Sequence, residues 1–142
     1  NWRMSSMTAA LGISQLSKLD KLISKRKKNA QYLSSKLNKH SKVILPFNYK
    51  NHKSIFQLFS IRVIDNLRDD LIEFLTSKGI MSKIFFEPVH LTQFYSKNKK
   101  KISLPTTEKI SQQILTLPMY PSLTKHDMNF ISDSIDEFME TL

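Results

Sequence analysis

Ile55-Phe56-Gln57-Leu58-Phe59-Ser60-Ile61-Arg62-Val63 is the most strand-like stretch of this chain. It is rich in β-branched and aromatic residues and contains neither Gly nor Pro, the composition of a pleated, buried strand. Its apolar residues fall on both faces, which predicts a central strand covered on both sides. Such a strand needs neighbours. Upstream, Val43-Ile44-Leu45-Pro46 reads as a short strand stopped by Pro46, and 47–54 reads as a polar loop. Downstream, Asp65 or Asn66 can cap a helix over 67–78 with Leu67, Leu71, Phe74 and Leu75 inward. Gly79 is placed to end that helix. Residues 80–86 then read as a returning strand.

Helical patterns flank this centre. Over 4–39, Met7, Ala10, Leu11, Leu16, Leu19, Leu22, Ile23, Ala30, Leu33 and Leu37 recur at steps of three and four. Gly12 interrupts the pattern as a kink or a close contact, so a short first helix and a long second one from about Ser14 are expected. Residues 38–42 are a polar connector. Residues 87–91 read as a loop, and Phe94 and Tyr95 sit on a short helix after it. Residues 96–103 carry Lys97, Lys99, Lys100 and Lys101 in a basic loop. Thr107 begins a helix with Ile110, Ile114 and Leu115 inward. Pro118 and Pro121 force 117–121 to be extended. Thr124-Lys125-His126-Asp127 resembles a capping box and opens a last helix, with Met128, Ile131, Ile135, Phe138 and Met139 on one face. The predicted fold is α/β (α+β): a small, mainly antiparallel sheet with helices on one face.

Bulk properties narrow the function. The chain has 142 residues, enough for one modest core. Its net charge of +10 comes mostly from Lys, with Arg only at 3, 26, 62 and 68. That charge attracts nucleic acid, anionic lipid or phosphorylated small molecules. A solvated Lys-rich surface is the plainer reading, because specific phosphate recognition favours the Arg fork. The absence of Cys excludes disulfides, thiolate metal sites and a Cys nucleophile and fits a cytoplasmic protein. No apolar run approaches the ~18 residues of a membrane span, so no membrane partner is expected. With Gly only at 12 and 79, the chain cannot build a phosphate-cradling loop. His40, His52, His90 and His126 lack ligand spacing, so no metal site is expected. Asp69 and Asp70 suit the positive end of a helix and are structural.

Two places carry possible chemistry. In Asn1-Trp2-Arg3 an amide can donate to a phosphate oxygen and a guanidinium can fork onto one, beside a helix N-terminus. The alternative is a set of exposed end residues. In Phe85-Phe86-Glu87-Pro88-Val89-His90 a His follows a strand end beside aromatics, where it either faces a ligand or is a satisfied structural residue. The abrupt polar start at Asn1, without initiator Met or signal segment, suggests the back part of a larger protein.

The ordered motifs resemble the C-terminal portion of the DegT/DnrJ/StrS-type sugar aminotransferases, pyridoxal-phosphate enzymes of the type I (aspartate-aminotransferase-like) fold. Asn1-Trp2-Arg3-Met4 and Ala9-Ala10-Leu11-Gly12-Ile13-Ser14-Gln15-Leu16 match that family's first segment. A long helix with Arg26 follows. Then come Phe56-Gln57-Leu58-Phe59 with Arg62, Arg68-Asp69-Asp70-Leu71, and Lys78-Gly79-Ile80. Pro88-Val89-His90-Leu91 with Tyr95, Leu104-Pro105 with Glu108, and Leu117-Pro118-Met119-Tyr120-Pro121 complete the match.

The resemblance implies a helical segment over 1–40, leading from the large domain and dimer interface, and a small C-terminal domain over 41–142. It also implies a homodimer, with Asn1 contacting the pyridoxal 5'-phosphate of the partner subunit. Arg3, His90 and Tyr95 would lie on the substrate side. The reaction would move an amino group, usually from glutamate, to a nucleotide-linked keto-sugar, for polysaccharide or amino-sugar biosynthesis. Phe85-Phe86 departs from the family's His-Tyr at that place and bears on substrate choice. The family's cofactor-binding Lys and pyridine-pairing Asp would precede Asn1, so no catalytic residue is assigned in this chain, and alone it is expected to be inactive. Two other readings stay open: a small basic nucleic-acid-binding domain using Lys25 to Lys28 and Lys97 to Lys101, and a family member that does not transaminate. The first lacks stacking aromatics interleaved with its basic stretches.

Overall fold

The computed structural model describes residues 2–47, 52–97 and 102–142. Among these residues the sheet has three antiparallel strands, β1 (Val43–Ile44), β2 (Phe59–Val63) and β3 (Ile114–Leu117), in the order β1-β2-β3. β2 is central, as its composition predicts. Val43 pairs with Val63, Phe59 with Leu117 and Ile61 with Leu115. Side chains alternate faces along a strand, so Phe59, Ile61, Val63, Leu115 and Leu117 share one face, and all are buried. Ser60, Arg62 and Thr116 point to the other. There the Ser60 and Thr116 hydroxyls lie 2.7 Å apart, and Arg62 donates from Nε and Nη2 to Gln113 Oε1 at 3.1 and 2.7 Å. The expectation of apolar residues covered on both faces is therefore corrected: one face is the apolar core, and the other is polar, with Thr116 buried and Ser60 and Arg62 part-buried.

Among the described residues there are six α-helices: α1 (Ser6–Leu16), α2 (Leu19–Leu37), α3 (Arg68–Ser77), α4 (Gln93–Ser96), α5 (Pro105–Ser111) and α6 (Lys125–Glu140). α6 packs on both α2 and α3. Ala30, Leu33 and Leu37 of α2, Leu71 and Leu75 of α3, and Ile131, Ile135 and Phe138 of α6 join the sheet residues in one core. Fully burying such a side chain is worth roughly 1.5–3 kcal/mol, so this face carries the stability. The Phe74 and Phe138 rings meet at 5.6 Å. α6 opens with the expected reciprocal cap: Thr124 Oγ1 accepts from Asp127 N at 3.1 Å, and Asp127 Oδ2 accepts from Thr124 N at 3.0 Å.

Several boundaries differ from the sequence reading, each for a physical reason. β2 begins at Phe59 rather than Ile55. Phe56 has φ 48°, and Arg26 Nη1 donates to the carbonyls of Phe56 (3.4 Å) and Gln57 (3.2 Å). A guanidinium from α2 thus satisfies acceptors that a strand would place in its ladder. The helices break at Ser17 and Lys18, not at Gly12. α1 runs through Gly12 without a break, and among the described residues a Cβ there would meet nothing within 4 Å.

Asp65 and Asn66 do not cap α3. Both are left-handed (φ 62° and 60°), a conformation these two residue types tolerate, and they form the turn itself. Gly79 (φ 77°) ends α3 as expected, with Ile80 N donating to Leu75 O at 2.8 Å. The third strand is Ile114–Leu117, not 80–86. Of the latter only Lys83 pairs, exchanging backbone bonds of 3.1 and 2.8 Å with Thr116. α5 stops at Ser111, so Ile114 and Leu115 lie in a strand instead of a helix. Pro118 requires an extended Leu117, and the free edge of β2 extends the rest.

Candidate functional site

The residues singled out in sequence do not form one cluster among the described contacts. Arg3 lies just before α1, exposed and without a hydrogen bond or ion pair among the described residues. Next to it, Ser5 caps α1 by accepting from Thr8 N at 3.2 Å. Trp2 is fully exposed. Asn1 lies outside the described residues, as do Lys99, Lys100 and Lys101 of the basic loop. Tyr95 sits on α4, half-exposed, with its ring edge-on to Phe94 at 5.0 Å.

His90 is different. It lies on a single 3-10 turn, Val89–Leu91, and its side chain is only 7% exposed. Its Nε2 is 3.0 Å from Glu108 Oε1. The same oxygen accepts the Leu104 amide at 2.8 Å, which closes the first turn of α5 behind Pro105. The Leu104 amide, and then the His90 hydrogen bond, hold the Glu108 carboxyl below its usual range. An ionised carboxylate only accepts, so His90 Nε2 carries the proton. The lone His is thus paired within the chain. Glu108 appears in sequence only as part of a motif, although Pro followed by Glu within one turn is a legible helix-start signal.

Two apolar hollows border the stretch 81–88 that leads to His90. One, of about 460 Å³, is bordered by Leu58, Met81, Phe85, Thr116, Met119 and Tyr120. The other, of about 240 Å³, lies between Phe86 and Pro88 on one side and Thr107, Ile110 and Ile114 on the other. Phe85 lines both. Across the molecule, His40 Nε2 lies 2.6 Å from Asp136 Oδ1, and Lys39 pairs with the same carboxylate. Burial pushes the Asp136 carboxyl up, but the hydrogen bonds from Lys39 and His40 outweigh it and leave the carboxyl low. This cluster ties the end of α2 to α6. Among the described residues, no group of three or more His, Cys, Asp or Glu could hold a metal ion.

Residues 1–136 match the DegT/DnrJ/EryC1/StrS aminotransferase family. The chain belongs to this family. Three solved structures set the scale of the match. An aminotransferase from Helicobacter pylori involved in pseudoaminic acid biosynthesis (PseC) superposes with a TM-score of 0.90 at 22% identity, over 100% of this chain and 39% of that one. A family member from Brucella abortus gives 0.84 at 28% identity, over 96% and 36%. DesV from S. venezuelae gives 0.87 at 28%, over 96% and 37%. The chain therefore spans well under half the length of these relatives. Its fold is that of the small C-terminal domain of the type I pyridoxal-phosphate enzymes, with the helix that leads into it.

The described residues do not fit a complete pyridoxal-phosphate site. None of their Lys side chains is buried. Lys39 and Lys78 form ion pairs at the surface, and Lys36 and Lys125 lie over the Tyr32 ring. Lys39 and Lys83 border hollows, but both are exposed, whereas a covalent cofactor lysine needs an enclosed cleft with a partner for the pyridine nitrogen. No helix among the described residues is long and apolar enough to cross a membrane.

Proposed function

We propose that this chain is the C-terminal part of a pyridoxal-phosphate-dependent sugar aminotransferase. The enzyme moves an amino group, usually from glutamate, to a nucleotide-linked keto-sugar destined for a polysaccharide or amino-sugar. Residues 1–40 are the helical lead-in and 41–142 the small domain. The covalent chemistry belongs to a lysine that the described residues do not supply, so this chain binds, orients and excludes water. His90 and Tyr95 sit on the segment that borders the sugar, and Arg3 faces its phosphates. Asn1 reaches the cofactor phosphate of the partner subunit in a homodimer. The enzyme works in the cytoplasm.

The observation that carries this reading is the family match over 1–136, at a little over a third of the length of the relatives. α1 supports it. No residue of α1 is buried, and Met7, Leu11, Ile13 and Leu16 are exposed, an apolar surface suited to cover by the remainder of an enzyme. No observation favours the nucleic-acid reading.

The test is to express the whole reading frame that carries this sequence and supply it with ¹⁵N-glutamate and a nucleotide-linked keto-sugar. The label should appear on the sugar. A reading frame that starts at the Asn1 codon, or a longer product that leaves the sugar unlabelled, overturns the proposal.

A further inference from the structure

The segment 88–97 presents a physical problem. It consists of one 3-10 turn and the four-residue helix α4, too short to hold themselves, because the first helical turn costs more order than its single bond returns. Its backbone bonds are local: Leu91 N to Pro88 O (2.9 Å), Thr92 N to Val89 O (3.2 Å) and Tyr95 N to Thr92 O (3.1 Å). Val89 and Phe94 are largely exposed, and Leu91 is half-exposed. His90 goes inward, and Glu108 of α5 holds it. Glu108 is itself fixed, since its Oε1 also takes the Leu104 amide.

We infer that Glu108 is a positioning residue: through His90 it clamps segment 88–97, and with it the aromatic pair Phe94 and Tyr95, against the first turn of α5. One carboxylate oxygen does both jobs, so the start of α5 and the placement of the aromatic segment are set together. The consequence for sugar binding rests on the aminotransferase reading above; the clamp itself does not.

Three variants separate the parts. Glu108→Ala removes the clamp and the α5 cap. His90→Phe removes the clamp alone and fills the space. Glu108→Gln keeps an oxygen that accepts both N–H groups. In ¹⁵N NMR of the 142-residue chain, the wild-type His90 imidazole should show a protonated Nε2. Amide exchange at Leu91, Thr92 and Tyr95 should rise about fivefold to tenfold in Glu108→Ala and His90→Phe alike, the scale of one lost hydrogen bond. Exchange at Leu104, whose amide donates to Glu108 Oε1 at 2.8 Å, should rise only in Glu108→Ala. Glu108→Gln should recover most of the protection.

In the whole enzyme, Glu108→Ala should raise KM for the nucleotide-sugar about fivefold while kcat moves much less, and Glu108→Gln should restore it. Unchanged exchange at Leu91, Thr92 and Tyr95 in both Glu108→Ala and His90→Phe overturns the clamp. An intact NMR signature with no change in KM overturns its role in positioning for the sugar. A wild-type enzyme that labels no sugar counts against the aminotransferase reading instead.

Discussion

α1 and α6 are both helices with strong apolar content, and the chain treats them in opposite ways. α6 buries Ile131, Ile135 and Phe138 in the core shared with α2, α3 and the sheet, and pairs Asp136 with Lys39 and His40 at the end of α2. α1 buries nothing. From Met4 to Ser17 it carries no charge, and its apolar residues lie around the whole helix instead of along one stripe. An amphipathic stripe is the pattern of a helix that finds its cover within its own domain. A helix apolar all round is the pattern of one enclosed by other parts of a larger structure. Stability in this chain is therefore a property of the sheet and of α2, α3 and α6, whereas α1 is exposed apolar surface.

The largest expected effect tests the α6 side. Ile135→Ala should cost about 2–4 kcal/mol in urea unfolding of the chain, by lost transfer energy and a residual cavity at a fully buried site. A cost below that of a surface change would break the comparison. The two N-caps give a matched pair of smaller size. Thr124→Ala should cost about 1 kcal/mol, because the Thr124–Asp127 box starts a helix on which the core depends. Ser5→Ala removes the analogous cap of α1 and should leave global unfolding unmoved. Equal costs would mean that α1 is coupled to the core.

A pH test sharpens the same contrast. The Asp136 carboxyl is lower in the folded chain than its ordinary 3.8. Its contribution is therefore complete above 3.8 and is lost as pH falls through the lowered folded value. Asp136→Asn should be less stable than wild type near neutral pH, and the two should converge in acid. α1 has no titratable side chain with which to contribute such a dependence. The smallest effect belongs to Leu11→Ala. Leu11 is 63% exposed, so unfolding should move by less than about 0.5 kcal/mol.

Much of this contrast was legible in the sequence, and the parts that were not share a cause. The capping box of α6, its buried face, the stop at Gly79 and the central place of β2 follow from local chemistry. The short reach of β2 does not, because the guanidinium that takes the Phe56 and Gln57 carbonyls comes from α2. β3 was hidden for a related reason. Ile114, Leu115 and Leu117 fit a helical period as well as a strand, and the open edge of β2 decides between them. Of the candidate site, His90 stood out by residue type, but its partner Glu108 is distant in sequence, and only the fold joins them. The bare state of α1 was visible as composition, not as exposure, since a sequence does not say which apolar helix lacks cover.

Hydrogen exchange read by mass spectrometry on α1 and α6, in the 142-residue chain and in the whole expressed reading frame, tests the account most directly. In the chain alone α6 should be protected close to the global limit and α1 nearly unprotected, and in the longer protein α1 should become protected too. Protection of α1 equal to that of α6 in the isolated monomeric chain, or an α1 that stays open in the longer protein, would contradict it.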